Sequence, residues 1–173
     1  MIIAISGKSG CGNTTVSTML AERLGLTLIN YTFRNLAQDT GRDFAEICQA
    51  AKTDPSYDRY IDSHQVELAE KGNCVLGSRL AIWMMKKADL KVFLTASTET
   101  RVGRIHKREG GDINDIREFT MCRDASDSAR YMDLYSIDNS KFDFADLIVD
   151  TEKYMPEQIV DLIVAELEKR NIR

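Results

Sequence analysis

The sequence contains few of the residues on which disulfide-bonded folds and zinc sites depend. Its 173 residues include two prolines, two histidines and four cysteines. Because Cys11, Cys48, Cys74 and Cys122 show no C-x-x-C spacing, we expect reduced thiols and no zinc site. With so few prolines, the sequence shows no proline-marked linker between two domains. A chain of this length can bury a hydrophobic core without cross-links. We therefore predict one domain over residues 1–173.

Long hydrophobic runs and an excess of positive charge are absent as well. No apolar run approaches the roughly 20 residues of a membrane-spanning helix, and the N-terminal MIIAISG has no signal-peptide pattern. The formal net charge is −4, which argues against a nucleic-acid surface. We therefore expect a cytoplasmic protein that binds neither membranes nor nucleic acid, and we expect a monomer.

Short apolar runs alternate with longer amphipathic segments along the chain. The runs are IIAIS (2–6), TLIN (27–30), CVLG (74–77), KVFLTA (91–96) and DLIVD (146–150). Because these runs are continuous, they indicate strands buried on both faces, as in a parallel sheet covered by helices. Helices are predicted at 14–24, 58–71, 98–109 and from Pro156 onwards. This alternation predicts an α/β domain with a doubly wound, five-stranded parallel sheet.

The stretch GKSGCGNTT, residues 7–15, has the frame of the phosphate-binding loop G-x-x-x-x-G-K-[ST]. A predicted strand leads into the loop and a helix follows it, so backbone N–H groups and the helix N-terminus would face phosphate oxygens. Thr14 occupies the position whose hydroxyl reaches Mg²⁺. We predict that ATP phosphates bind to Gly7, Lys8, Ser9, Gly10, Cys11, Gly12, Asn13, Thr14 and Thr15.

The loop departs from the motif at position 13, where asparagine replaces the lysine. That lysine normally bridges the β- and γ-phosphates during transfer, and asparagine brings no positive charge. Lys8 follows the first glycine directly and is long enough to reach the same oxygens from the other side of the loop. The sequence leaves two interpretations of Lys8 open: a replacement cation, or an exposed loop lysine.

Arginines are concentrated in one stretch of this acidic chain. They are Arg101, Arg104, Arg108, Arg117, Arg123 and Arg130. Since the stretch is also rich in Asp and Glu, one interpretation is a solvated, salt-bridged helix face. The other is a clamp on several phosphates, because the planar guanidinium group binds phosphate through two parallel hydrogen bonds. Arg104 and Arg117 fit the structural interpretation better.

In their order along the chain, these motifs resemble the nucleoside monophosphate kinases, and among them the short, archaeal type of cytidylate kinase. YTFRNLA (31–37) is similar to the family's G-D-x-F-R-x-L-A. The segments DPSYDRYIDSHQ (54–65) and VLGSRLAIW (75–83) resemble its D-P-x-x-D-x-x-I-D-x-x-Q and V-L-E-x-R-L-A-x-W. RDASDSAR (123–130) is similar to the R-D-x-x-D-S-x-R of bacterial cytidylate kinases.

The resemblance implies a P-loop fold with an acceptor segment at about 31–71 and a lid segment at about 101–135. It implies phosphorylation of CMP or dCMP with ATP and Mg²⁺ as cofactors, so these nucleotides are the expected partners. It places the acceptor at Arg34, Arg79, Arg123, Asp127 and Arg130. The groups expected to neutralise the transferring phosphoryl group, and so to be catalytic, are Lys8, Arg108, Arg123 and Arg130.

Two departures from the family pattern keep alternatives open. Asn13 replaces the loop lysine, and Gly77 stands where the archaeal pattern has an acid near the Mg²⁺ site. One alternative is a nucleotide-binding protein with little transferase activity, which uses closure on ATP or CMP as a sensor or scaffold. Another is a P-loop kinase that phosphorylates a different small acceptor.

Overall fold

A computed structural model describes residues 1–172 and contains one parallel sheet. Its strands are β1 (Ile2–Gly7), β2 (Thr27–Ile29), β3 (Cys74–Gly77), β4 (Leu90–Thr95) and β5 (Leu147–Asp150). The strand order is β2-β3-β1-β4-β5, and each neighbouring pair is parallel. The predicted doubly wound, five-stranded sheet is confirmed, and the predicted strand ends nearly coincide with the observed ones.

Helices cover both faces of the sheet and the edge formed by the carboxyl ends of its strands. They are α1 (Asn13–Leu24), α2 (Phe33–Thr40), α3 (Phe44–Ala51), α4 (Ser56–Ala69), α5 (Ala81–Met84), α6 (Thr98–Glu109), α7 (Ile113–Tyr135) and α8 (Pro156–Lys169). The four helices predicted from periodicity are confirmed as α1, α4, α6 and α8. Within residues 1–172, none of the helices has the length and apolar character needed to cross a bilayer.

The core lies on both sides of β1, the central strand. Ile3 and Ile5 point to the side covered by α1 and α8, where they pack with Leu20 and Ile163. Ala4 points to the opposite side, which α4 and α5 cover. Because neighbouring residues of one strand are buried on opposite faces, β1 reads as a continuous apolar run and not as an alternating one.

Helices α2, α3 and α4 share a small hydrophobic cluster. Leu36 and Ala37 of α2, Ile47 of α3 and Ile61 of α4 are buried together there. The cluster fixes which face of α4 turns inward, because Ile61 is held in it. The residues on the same side of α4 as Ile61 therefore face the interior of the molecule rather than solvent.

Candidate active site

A cleft of about 960 Å³ opens at the carboxyl edge of the sheet. Its walls come from the loop after β1, from α4, and from α6 and α7. The volume lies near the upper end of the roughly 300–1,000 Å³ that small-molecule sites span. Open α/β sheets bind their ligands at this edge, where the strand order reverses. Strand order and cavity together mark the cleft as the candidate active site.

The N-terminus of α1 is open towards the cleft. Gly12 precedes the helix with φ 95°, and no side chain caps the first turn. No acidic residue lies in that turn, and Thr14 and Thr15 are exposed and line the cleft. The unpaired N–H groups and the positive end of the helix dipole therefore favour an anion at this point.

Asn13 holds the base of the loop together. Its Nδ2 donates a hydrogen bond of 2.6 Å to the Gly7 carbonyl oxygen, whereas its Oδ1 is buried without a partner. A Cβ atom at Gly7 would lie 2.6 Å from that Oδ1, so only glycine fits at position 7. The asparagine in the lysine position thus makes a structural contact across the loop.

Two arginines of α6 brace the loop from behind. Arg101, only 3% exposed, donates to the Ser9 carbonyl oxygen at 3.1 Å and to both carboxylate oxygens of Asp124. Arg104 donates to the Gly10 carbonyl oxygen at 3.1 Å and to Thr151. Because both guanidinium groups bind loop carbonyls, they fix the shape of the loop, as the structural interpretation of Arg104 expects.

Arg117 and Cys11 also lie away from the phosphate side of the cleft. Arg117 pairs with Glu99 at 2.7 Å on the surface, in agreement with the structural interpretation. Cys11 is 2% exposed and packs in the core beside α1. Burial raises the pKa of the Cys11 thiol, which keeps it protonated. Neither Cys11 nor Gly7 lines the cleft, although both were predicted to bind phosphate.

Lys8 lies at the mouth of the cleft. Its Nζ is 3.6 Å from Oδ2 of Asp124, and its side chain is 46% exposed. The same carboxylate is already bound by Arg101, so Lys8 is the weaker of its two partners. A half-exposed lysine with a long contact can turn towards a phosphate without leaving a buried charge unpaired.

Arginines from two elements meet on the opposite wall. Arg79, which follows β3, donates to Oδ2 of Asp127 at 2.8 Å, and Arg130 donates to Oδ1 at 2.9 Å. Arg123 lines the cleft beside them. Burial and the neighbouring Arg79 charge lower the pKa of Arg123, which indicates that positive charge is crowded here. Such a group of cations gains stability from a bound anion.

The two remaining predicted arginines lie at the periphery. Arg108 lines the rim of the cleft and pairs with its neighbour Glu109. Arg34 is exposed and does not line the cleft; its guanidinium carbon lies 4.6 Å above the centre of the Phe44 ring. Its motif position thus places Arg34 at the start of α2, whereas its side chain points to α3.

One face of α4 supplies four residues that the sequence interpretation did not assign to the site. Asp58, Ile61, Asp62 and Gln65 line the cleft at helical spacing i, i+3, i+4 and i+7. Gln65 is 4% exposed, and its Oε1 has no hydrogen-bond partner within residues 1–172. Burial raises the pKa of Asp62 to about 6. The spacing D-x-x-I-D-x-x-Q was the signal that these residues share a face.

Asp62 should make the protein's stability depend on pH. A carboxyl whose pKa is about 6 when folded, against about 3.9 when unfolded, destabilises the fold as it ionises between these values, by roughly 3 kcal/mol in total. Asp62→Asn should therefore match the wild type near pH 4 and become more stable than it by up to this amount at pH 7.5. Urea unfolding of both proteins across this range measures the difference. A difference that stays constant with pH would contradict the assignment.

Gly77 explains why the family's acid is missing from β3. A Cβ atom at Gly77 would lie 2.5 Å from Oγ and 2.8 Å from Cβ of Ser17 on α1. Ser17 is fully buried, so α1 has no room to move away. Within residues 1–172, no group of three or more His, Cys, Asp or Glu side chains is arranged to hold a metal ion. Thr14 remains the residue at the cleft that fits the metal position of a P-loop.

Comparison with known proteins shows which family the chain belongs to. The model of the cytidylate kinase-like family matches residues 2–153. The chain belongs to this family. Cytidylate kinase 2 of Borreliella burgdorferi is 44% identical, over 100% of this chain and 98% of the relative. Cytidylate kinase of Archaeoglobus fulgidus is 42% identical, over 100% and 98% respectively. The predicted resemblance to cytidylate kinases, including those of archaea, is confirmed.

The fold is shared more widely than the sequence. The crystal structure of shikimate kinase from Bacteroides thetaiotaomicron superposes with a TM-score of 0.67, covering 97% of this chain and 98% of the other. The two sequences are 16% identical, so this likeness concerns the fold alone. It confirms the predicted doubly wound α/β fold.

Proposed function

We propose that this member of the cytidylate kinase-like family transfers the γ-phosphoryl group of ATP to CMP or dCMP, giving ADP and the nucleoside diphosphate. The observation that carries the proposal is a single cleft with two anion-binding walls. One wall is the open N-terminus of α1, and the other is the group formed by Arg79, Arg123 and Arg130. Two nucleotides that meet with their phosphates between these walls would be positioned for direct transfer. Relatives named cytidylate kinases support CMP as the acceptor.

The donor nucleotide has a second cavity next to the loop. A space of about 400 Å³ between α1 and the start of α8 is lined by Thr15, Arg104, Tyr154 and Pro156. It adjoins the cleft through Thr15 and Arg104, which line both. ATP whose phosphates lie on the loop could therefore place its adenine and ribose there, outside the space needed for the acceptor.

Thr14 would hold Mg²⁺ through its hydroxyl, with ATP oxygens and water as the other ligands, as is usual for this ion. The ion would supply positive charge that offsets the negative charge of the donor phosphates. The protein's own part is orientation. The loop and its braces Arg101 and Arg104 fix the donor, and the arginine wall holds the acceptor phosphate and neutralises the group in transfer. Since one chain supplies both walls, we propose that the monomer is active.

An assay for ADP release tests the proposed reaction. The protein is mixed with ATP and Mg²⁺ and with CMP, dCMP, UMP, AMP or a small non-nucleotide acceptor in turn. Release with CMP or dCMP well above the rate without acceptor supports the proposal. Release only with the non-nucleotide acceptor supports the alternative kinase. No release with any acceptor, while calorimetry shows ATP and CMP bound, supports the nucleotide-binding protein.

Arg34 tests whether the acceptor segment rearranges when CMP binds. We expect Arg34→Ala to raise the KM for CMP by a factor of about 10–100, because a charge-assisted phosphate contact contributes roughly 1.5–3 kcal/mol. The KM for ATP should stay unchanged. Steady-state kinetics with each substrate varied in turn measures both constants, and Arg42→Ala, in the same segment but paired with Tyr57, serves as control. An unchanged KM for CMP would leave Arg34 as a partner of Phe44 only.

A further inference from the structure

Gln65 contributes an amide with an unsatisfied acceptor to the lining of the cleft. Its side chain is 4% exposed and lines the cleft, yet its Oε1 has no partner within residues 1–172. Buried polar atoms nearly always have a hydrogen-bond partner in folded proteins. Because Oε1 is itself closed to solvent, a ligand that donates a hydrogen bond reaches it when the amide group of Gln65 turns towards the cleft.

Asp62 presents a second acceptor on the same face of α4. It lies three residues before Gln65 and lines the same cleft. Tyr135 of α7 donates to its Oδ2 at 2.8 Å, which leaves Oδ1 for a ligand. The charged groups that act on this carboxyl are Asp58 on its own helix, Arg130 on α7 and Arg79 after β3. Burial opposes the charge of Asp62, so the residue is kept at a cost in stability.

Asp62 and Gln65 lie at a distance from the arginine wall (Arg79, Arg123 and Arg130) that suits the length of a nucleotide. Asp58, at the beginning of the same helix face, is 3.6 Å from Nε of Arg130. From there, Asp62 and Gln65 are displaced along the helix axis by about 6 Å and about 10 Å. A nucleotide whose phosphate binds the arginines and whose ribose and base extend along α4 would reach the pair formed by Asp62 and Gln65 with its base.

We propose that Asp62 and Gln65 recognise the exocyclic amine of the acceptor base and so select cytosine over uracil. The inference rests on the proposed function, since it concerns the acceptor of that reaction. Cytosine carries an amine with two N–H donors at the position where uracil carries a carbonyl oxygen. Two acceptors, Gln65 Oε1 and the Asp62 carboxylate, match the amine. The Asp62 carboxylate faces the uracil carbonyl with lone pairs and no donor, which rejects uracil, whereas the Gln65 amide also carries N–H donors and adds affinity rather than selectivity.

The test compares kcat/KM for CMP and UMP in matched variants. Asp62→Asn keeps the shape but adds an N–H donor, so the CMP to UMP ratio should fall at least tenfold, mainly through the two KM values. Gln65→Leu removes the second acceptor and should lower kcat/KM for CMP by a factor of about 10–100, as loss of a ligand hydrogen bond at a buried site does. Glu67→Gln, the same carboxylate-to-amide change on the exposed side of α4, should leave the ratio unchanged.

Thermal unfolding of each variant first establishes that it is folded. The inference is overturned if the CMP to UMP ratio stays the same in folded Asp62→Asn, or if it falls equally in Glu67→Gln. If Gln65→Leu does not fold, the result for Asp62→Asn decides. If the wild type turns over no acceptor, the proposed function fails, and calorimetric titration with CMP and UMP decides the present inference by itself. Preference for CMP that Asp62→Asn removes supports it, and equal affinity for both nucleotides in the wild type overturns it.

Discussion

Arg123→Gln is expected to lower kcat for CMP phosphorylation by a factor of about 10²–10³, the loss typical when one electrostatic contact to a transition state is removed. Arg79 and Arg130 both hydrogen-bond to Asp127, which offsets part of their charge. Arg123 makes no ion pair within residues 1–172, and burial and the Arg79 charge lower its pKa. Its positive charge is therefore the least compensated on this wall, so it should respond most to the charge that develops in transfer.

A matched substitution on the same helix controls for this measurement. Arg117 also lies on α7, but its side chain pairs with Glu99 on the surface, so Arg117→Gln should leave kcat and both KM values nearly unchanged. Initial rates of ADP release under saturating ATP and CMP give kcat for each variant. Equal kcat for Arg123→Gln and Arg117→Gln would contradict a role for Arg123 in transfer. A rise in the KM for CMP alone would restrict Arg123 to ground-state binding.

Much of the fold was predictable because its signals are local. A strand buried on both faces is a continuous apolar run, and the phosphate-binding loop has fixed spacing between its glycines and its threonine. Helix α7, with 23 residues, was not predicted from periodicity, because its buried residues Thr120, Asp127 and Tyr131 form no apolar stripe. The short helices α2, α3 and α5 were missed as separate elements, since 8, 8 and 4 residues give little periodicity. Their existence depends on packing against α4 and the sheet, which no single segment of the sequence reports.

The site was predictable in its outline and not in its pairings. Arg101 stands among arginines that a sequence allows to be either surface residues or phosphate ligands. Its role follows from Asp124, 23 residues further along the chain, and from the Ser9 carbonyl oxygen in the loop. In the sequence, Gln65 is one polar residue of a predicted helix, with no signal of burial. Its burial follows from Ile61, which anchors α4 in the cluster shared with α2 and α3 and turns this face inward.

The missing lysine and the missing acid of the family pattern have separate structural reasons here. Asn13 replaces the lysine and closes the loop through the Gly7 carbonyl oxygen. Gly77 replaces the acid because Ser17 fills the space where its Cβ would lie. Neither residue leaves a charge uncompensated in the loop. A side-chain cation near the donor phosphates must therefore come from a position other than 13. Lys8 is the lysine that the loop contains.

Lys8→Ala is expected to lower kcat by a factor of about 10²–10³ with only a small change in ATP affinity. In the proposed reaction, loop N–H groups would hold the phosphates of bound ATP, whereas a side-chain cation would act on charge that develops during transfer. Lys8 is placed for this role, since its Nζ reaches only a long 3.6 Å contact with Asp124, which Arg101 already neutralises. Lys107→Ala, an exposed lysine of α6, is the control and should leave kcat unchanged.

Asn13→Lys provides the complementary test. In the Lys8→Ala background, it should recover a large part of the lost kcat, because an ammonium group at position 13 would replace the one at position 8. Recovery should be incomplete, since the substitution removes the 2.6 Å hydrogen bond from Asn13 to Gly7. Single-turnover rates and ATP titrations of the two single variants and the double variant separate chemistry from binding. If Lys8→Ala alone turns over like the wild type, Lys8 is an ordinary surface lysine, and the arginines of the opposite wall supply the positive charge.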